Sequence, residues 1–132
     1  GGAINIGSGG TTVQNLFITG GTGLANAAAP NVTMIATGDV NLFVAGSGDV
    51  ELKGGMGSAA ILQGANVNIG TAGLRPRSLT LAGGTGMTNV TQSDSRITAT
   101  QILNIFTSGA VDLAGGTSSG AIAIGPGQKC AR

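Results

Sequence analysis

Apolar and polar residues alternate with a period of two along most of the chain. The recurring unit is an apolar–polar–apolar tripeptide bounded by glycine, as in Ile4–Ile6, Val40–Leu42, Val67–Ile69 and Leu79–Leu81. A period of two is typical of a β-strand that buries one of its faces. Glycine-rich sequences such as Gly-Ser-Gly separate these units, and glycine supplies the positive φ that many turns require. The pattern therefore predicts an all-β protein of short strands joined by glycine-rich turns.

A second, longer repeat is superimposed on the two-residue period of the strands. When the sequence is shifted by 63 residues, Ile4-Asn5-Ile6-Gly7 aligns with Val67-Asn68-Ile69-Gly70, and Asn41-Leu42-Phe43 aligns with Asn104-Ile105-Phe106. After a deletion of two residues the shift becomes 61, and the alignment continues to Ile122. A repeated unit that alternates along its whole length favours quasi-one-dimensional stacking.

The alignment divides the chain into three segments. The first β-repeat unit is expected at 1–63, the second at 64–125, and a polar C-terminal tail at 126–132. Doubling lengthens a shaft, whereas a catalytic domain seldom needs to be doubled. The division therefore favours a structural protein.

The composition indicates a thin core. Glycine contributes 26 of the 132 residues, Trp, Tyr and His are absent, and the aromatic residues are Phe17, Phe43 and Phe106. Large aromatic side chains usually dominate compact cores, and glycine loses the most conformational freedom on folding. We therefore expect identical chains to associate and share an apolar core.

Charge and cysteine content exclude several classes of partner. The net charge of +1 gives no general attraction to nucleic acid or to an anionic membrane. No apolar run approaches the roughly 18 residues of a membrane-spanning helix. Cys130 is the single cysteine, so an intrachain disulfide cannot form, and the sequence leaves the role of this thiol open.

The repeated phrases resemble those of a known family. Gly-Ala-Ile-Asn-Ile-Gly at 2–7 recurs as Gly-Ala-Asn-Val-Asn-Ile-Gly at 64–70 and as Gly-Ala-Ile-Ala-Ile-Gly at 120–125. These phrases resemble the repetitive shafts of bacteriophage tail fibres and tail spikes. The segments 38–42 and 48–52, each Gly-Asp-Val followed by a polar residue and Leu, also resemble the spike-tip repeats of contractile injection machines.

This resemblance implies a fibrous fold, an intertwined triple-stranded β-helix or β-prism of three parallel chains. In such a trimer, three copies of Ile4, Ile6, Val40 and Leu42 are expected to face a common axis. A single-chain β-solenoid is the alternative that the alternating pattern leaves open. The implied function is that of a non-enzymatic, rigid spacer between an anchor and a receptor-binding tip, located on a virion in a tail fibre or other surface appendage. The implied partners are two further copies of the chain and other fibre or tail proteins, with a host receptor contacted only indirectly.

Two other functions stay open at this point. The chain could be a β-solenoid of a bacterial surface adhesin or filament, or a tail spike that cleaves polysaccharide. For cleavage, the candidate carboxylates are Asp49 and Glu51, which are two residues apart and share a strand face. A solvent-facing charge row with Lys53 is the preferred interpretation, because the chain lacks Trp, Tyr and His for a sugar-stacking groove.

No catalytic, cofactor-binding or metal-binding residue is predicted. The glycine-rich sequences at 20–23 and 83–86 lack the Gly-Lys-Ser/Thr ending of a phosphate loop, and we interpret them as turns. Arg75 and Arg77 form the one basic cluster and are the candidates for contact with an anion such as phosphate or sulfate. The other interpretation is that these arginines lie in a solvated turn and bind no ligand.

Overall fold

The computed structural model describes residues 2–8, 10–22, 31–85, 94–117, 120–125 and 127–131. Within these residues the chain forms eleven β-strands and no helix. In chain order the strands are β1 (Ile4–Ile6), β2 (Leu16–Thr19), β3 (Val32–Ile35), β4 (Val40–Leu42), β5 (Asp49–Lys53), β6 (Ala60–Ile69), β7 (Ser78–Ala82), β8 (Ser95–Phe106), β9 (Val111–Ala114), β10 (Ala121–Ile124) and β11 (Gly127–Ala131).

Every strand pair in the described part of the chain is parallel and joins one coil of the chain to the next. Ile4 of β1 pairs with Val40 of β4, and Val40 pairs in turn with Val67 of β6. The chain therefore winds in successive coils, and each coil is hydrogen-bonded to the coils before and after it. This is the arrangement of a single-chain parallel β-solenoid, in which each strand pairs with strands of the neighbouring coils and not with the next strand through a hairpin.

The strands fall into three stacks. The first stack contains β3, the N-terminal half of β6, the N-terminal half of β8, and β10. The second stack contains β1, β4, the C-terminal halves of β6 and β8, and β11. The third stack is a separate sheet in the order β2-β5-β7-β9. A shift of register between Gly64 and Asn66 marks the corner where β6 passes from the first stack to the second.

The core lies inside the coils and is built by alternation. In β4 the side chains of Val40 and Leu42 are buried, whereas Asn41 between them is only partly buried. β5 and β7 repeat this pattern, and their buried residues join those of β4 in one continuous cluster. The inward residues are almost all Val, Leu and Ile, whose branched side chains suit a narrow interior between stacked strands.

The predicted intertwined triple-stranded fibre is wrong. Strand pairing is parallel within one chain, and Val40 and Leu42, expected to face an axis shared by three chains, are 0% and 1% exposed in the single chain. One coil therefore covers the apolar face of the next, which is the contact that the fibre prediction assigned to identical copies. The thin core that the composition implies is completed by stacking along the chain.

The two sequence units form one continuous solenoid. Their boundary between Gln63 and Gly64 falls inside β6, and the coil that contains it is paired on both sides. The segment interpreted as a polar tail contributes β11, which pairs with the C-terminal half of β8. Cys130 lies in this strand, opposite Ile105, and its side chain lies outside the described residues.

Glycine pairs lie where neighbouring coils of the third stack approach closely. Gly20, Gly55, Gly84 and Gly116 follow the strands of the third stack in four successive coils. A Cβ placed on Gly55 would overlap the backbone oxygens of Gly20 and Gly21, and one on Gly84 would overlap those of Gly54 and Gly55. Only glycine fits this edge, so these glycines are stacking points between coils.

Candidate functional site

A ladder of asparagine amides runs along the outer surface of the second stack. Asn5, Asn41, Asn68 and Asn104 occupy matching positions in four successive coils. Each amide after Asn5 donates from its Nδ2 atom to the Oδ1 atom of the Asn in the preceding coil. The Nδ2-to-Oδ1 distances are 2.8 Å for Asn41 to Asn5, 2.8 Å for Asn68 to Asn41, and 2.7 Å for Asn104 to Asn68.

The strand geometry explains why these amides meet. Parallel strands in register place identical positions about 4.8 Å apart, which brings the Oδ1 atom of one Asn within reach of the Nδ2 atom of the next. A primary amide offers two N–H donors and two acceptor lone pairs, and the ladder uses one of each on every internal Asn. The outer surface of the ladder therefore keeps a donor and an acceptor on each coil for water or for a ligand.

Beside the ladder, glycine and phenylalanine alternate from coil to coil. Gly7, Phe43, Gly70 and Phe106 directly follow the matched residues Ile6, Leu42, Ile69 and Ile105. Gly7 and Gly70 have positive φ values of 77° and 73°, a conformation that side chains rarely adopt. A Cβ on Gly70 would also lie 2.7 Å from the backbone oxygens of both Leu74 and Phe106.

This alternation opens a cleft between the two phenylalanines. The cleft has a volume of about 260 Å³, and Gly70 lies in the coil between Phe43 and Phe106. Asn41 and Asn68 of the ladder line one part of it, and the loop residues Thr71 and Ala72 line another. We call this cleft the aromatic slot. It combines apolar ring surfaces with two outward amides and has no charged side chain in its lining.

Asp49, a candidate carboxylate, is held in an ion pair. Its Oδ1 atom accepts a hydrogen bond from Arg77 Nε at 3.0 Å and another from Ser78 Oγ at 2.7 Å, and Arg77 Nη2 also contacts Oδ2. These bonds, with that of Arg77 first, lower the pKa of Asp49 below its ordinary value. The carboxylate in turn raises the pKa of Arg77. Asp49 is thus held as a charged structural partner.

Asp49 and Glu51 do share the outer face of β5, since Val50 and Leu52 on either side of Glu51 are buried. Arg75 and Arg77, the candidates for anion contact, are not brought together around one site. Arg77 pairs with Asp49, whereas Arg75 donates through Nε to the backbone oxygen of Ala72 at 3.1 Å. Contact of these arginines with an anion stays a prediction.

Asparagine or aspartate precedes several strands and ties one coil to the next. In each case the side-chain Oδ1 atom accepts a hydrogen bond from a backbone N–H of the following coil, at or beside the first paired residue of the matching strand segment. The four bonds are Ala59 to Asn31 at 2.9 Å, Asn66 to Asp39 at 3.2 Å, Asp49 to Asn15 at 3.0 Å and Gly120 to Asp94 at 2.8 Å. These bonds satisfy backbone donors at the corners, where the sheet ladders are interrupted.

Sequence reasoning missed both the amide ladder and the aromatic slot. The signal was present in the 63-residue alignment, which matches Asn5 with Asn68, Asn41 with Asn104, and Phe43 with Phe106. That alignment shows which residues correspond, but it does not show that the two coils of one unit lie against each other. Only the coil-to-coil register places Asn41 beside Asn68 and Gly70 between the two phenylalanines.

The described residues contain no group of three or more His, Cys, Asp or Glu side chains placed to hold a metal ion. They also include no helix of the length and apolar character needed to cross a membrane. Comparison with models of protein families, with curated proteins and with solved structures finds no match to the chain.

Proposed function

We propose that this chain is a rigid, non-enzymatic segment of an extracellular fibre, such as the shaft of a viral tail fibre or spike. The observation that carries the proposal is the uniform parallel stacking of coils, in which one 63-residue repeat corresponds to two coils. Because neighbouring strands lie about 4.8 Å apart, each repeat adds about 9.6 Å of length. A structure that grows in equal axial steps is suited to act as a spacer.

The contacts between coils support rigidity. The amide ladder, the corner bonds from Asn and Asp side chains, and the Arg77–Asp49 pair all run from one coil to the next. Bending the rod would have to stretch several of these bonds together with the sheet hydrogen bonds. A spacer that transmits force between an anchor and a tip requires this kind of axial stiffness.

The state of Asp49 supports a non-enzymatic role. A glycosidase needs one carboxylic acid with a raised pKa to protonate the leaving group. Arg77 and Ser78 instead lower the pKa of Asp49, which disfavours the protonated form. We therefore place Asp49 in the structural framework of the rod rather than in a polysaccharide-cleaving site.

The proposed partners are two further copies of the chain, in parallel, and other fibre or tail proteins, with a host receptor contacted indirectly. The core of each coil is closed by its neighbours, so such a trimer joins finished rods side by side. Multi-angle light scattering on the chain at several concentrations tests this association. A mass of one chain at all concentrations argues against the trimer and favours the surface adhesin or filament, to which the single-chain stacking is equally suited.

Lengthening the chain tests the rod. A second copy of residues 4–66 inserted between Asn66 and Val67 keeps the register, because Ile4 and Val67 occupy equivalent positions. Small-angle X-ray scattering of chains with zero, one and two insertions should show a maximum dimension that rises by about 9.6 Å each time, at constant cross-section. An increase in cross-section together with length, as in a growing globule, contradicts the proposal.

The location is tested separately with antibodies raised against the chain. Immunogold labelling of tail appendages on purified particles is the result that we expect. Labelling confined to bacterial cell surfaces contradicts the virion location and supports the adhesin. A polysaccharide-turnover assay completes the comparison, since turnover that is lost in both Asp49→Ala and Glu51→Ala contradicts the non-enzymatic role.

A further inference from the structure

We infer that the aromatic slot is a binding site for one ring of a neutral saccharide, in its pyranose form. The inference rests on the residues that line the slot, and it holds whether or not the chain is part of a fibre. The lining of the slot contains neither Asp49 nor any other carboxylate, so we expect the slot to bind a saccharide without cleaving it.

The spacing of the two phenylalanines sets the size of the ligand. Phe43 and Phe106 lie two coils apart, so about 9.6 Å separates their equivalent backbone atoms along the rod. Gly70 occupies the coil between them and contributes no side chain. Gly70, Thr71 and Ala72 line the space of about 260 Å³ beside the two aromatic residues, which has room for a single ring from outside the protein.

The chemistry of the lining matches the two kinds of surface that a pyranose presents. Its faces carry C–H groups, which are attracted to the negative faces of the aromatic rings of Phe43 and Phe106. Its rim carries hydroxyl groups, which both donate and accept hydrogen bonds. Asn41 and Asn68 each keep one N–H and one oxygen lone pair beyond those used in the ladder, and both residues line the slot.

The lining also selects the charge of the ligand. The slot residues are Asn, Leu, Phe, Gly, Thr and Ala, so no ion pair is available to an anionic or cationic group. A buried charge without a partner is costly, and sugars that carry a carboxylate, sulfate or ammonium group are therefore disfavoured. The ligand class is a neutral hexose or N-acetylhexosamine.

Nuclear magnetic resonance of the full chain tests this inference. The probes are the methyl glycosides of glucose, galactose, mannose and N-acetylglucosamine, titrated one at a time. We expect at least one to bind saturably with a dissociation constant on the order of 1 mM, as befits a single small ring. Its C–H protons should shift upfield from the aromatic ring currents, and the side-chain amide signals of Asn41 and Asn68 should shift with the same saturation curve.

The variants Phe106→Ala and Phe43→Ala should each weaken binding about tenfold. Phe17→Ala is the matched control, because this ring is 61% exposed on β2, outside the slot, and its loss should leave binding unchanged. Circular dichroism melts establish that each variant is folded. If an alanine variant does not fold, Phe106→Leu keeps the apolar volume, and the ring-current shifts in the unmodified chain still report on the slot.

Several results overturn the inference. One is that none of the four glycosides binds, and another is that binding survives Phe106→Ala or falls equally in Phe17→Ala. A third is that a planar probe such as indole, or a proline-rich peptide, saturates the slot signals while the glycosides do not. That result would assign the slot to a different class of ligand.

Discussion

Asn68 donates a hydrogen bond from Nδ2 to Oδ1 of Asn41 in the preceding coil, across 2.8 Å, and accepts one from Asn104 in the following coil, across 2.7 Å. Asn68→Ala removes both bonds. Since a hydrogen bond contributes about 0.5–1.5 kcal/mol net and water reaches these partly exposed amides, we expect a loss of about 1–2 kcal/mol in the free energy of unfolding. Urea denaturation followed by circular dichroism measures it.

Asn5→Ala is the matched control for this prediction. Asn5 lies at the end of the ladder, is exposed and makes one ladder bond, so its removal should cost about half as much, near 0.5 kcal/mol. Equal losses for the two variants would mean that the ladder bonds do not carry the effect.

The glycine edge of the third stack predicts a much larger effect. A Cβ on Gly55 would overlap the backbone oxygens of Gly20 and Gly21, and backbone atoms held in a sheet cannot move aside cheaply. Gly55→Ala should therefore destabilise the chain by more than about 3 kcal/mol or prevent folding. Thermal melts and the yield of folded protein measure this change.

Gly73→Ala provides the comparison. A Cβ at Gly73 meets no atom within 4 Å, and its φ is not in the left-handed region, so the change should be neutral or slightly stabilising, within about 0.5–1 kcal/mol. A Gly55→Ala variant as stable as Gly73→Ala would contradict the close approach of the coils.

The buried cluster inside the coils predicts that one chain carries its own core. Leu62 is 0% exposed, and Leu62→Ala should cost about 2–5 kcal/mol through the cavity that it leaves. Ile124→Ala removes a side chain that is 52% exposed and should cost far less. Chemical denaturation of both variants at low protein concentration measures the difference. If the denaturation midpoint of the unmodified chain rises steeply with protein concentration, other copies of the chain are needed to complete the core.

The Arg77–Asp49 pair predicts a pH dependence. Arg77 and then Ser78 lower the pKa of Asp49 in the folded chain, whereas in the unfolded chain the carboxyl has its ordinary value of 3.8. The resulting stabilisation is fully present above that ordinary value and disappears as the pH falls through the lower folded value. The melting temperature of the unmodified chain should therefore exceed that of Asp49→Asn above about pH 5, and the difference should shrink towards pH 2.

Salt provides the control for this pH dependence. The Asp49 and Arg77 side chains are 25% and 65% exposed, so added salt should screen the pair and reduce the difference between the two proteins. A difference that grows as the pH falls has the opposite sign and would show that the carboxylate does not stabilise the folded state.

Local pattern predicts the strands well. The tripeptides Ile4–Ile6, Val40–Leu42 and Leu79–Leu81 are strands or lie within them, because a period of two leaves few alternatives when glycine bounds each unit. The alternating pattern does not determine which strand pairs with which. The same apolar face can be covered by another chain or by the next coil, and the composition alone favoured another chain.

The true coil length is hidden in the sequence because successive coils differ in length. Ile4 to Val40 is 36 residues, and Val40 to Val67 is 27, which together give the 63-residue shift. A comparison at any fixed shift therefore detects two coils at once and misses the single coil. For the same reason, the sequence does not bring Asn41 next to Asn68, and the amide ladder and the aromatic slot stay invisible until the register is known.

Because the coils are unequal in length, the circumference of the rod can vary while its axial rise per coil stays constant. A coil of 36 residues and a coil of 27 residues both advance the chain by one strand spacing, so the nine extra residues are accommodated around the circumference. Insertions in the turns can therefore accumulate and diversify the outer surface while the axial positions of the ladder stay fixed. Such a rod can acquire new surface chemistry over evolutionary time without altering the distance that it spans.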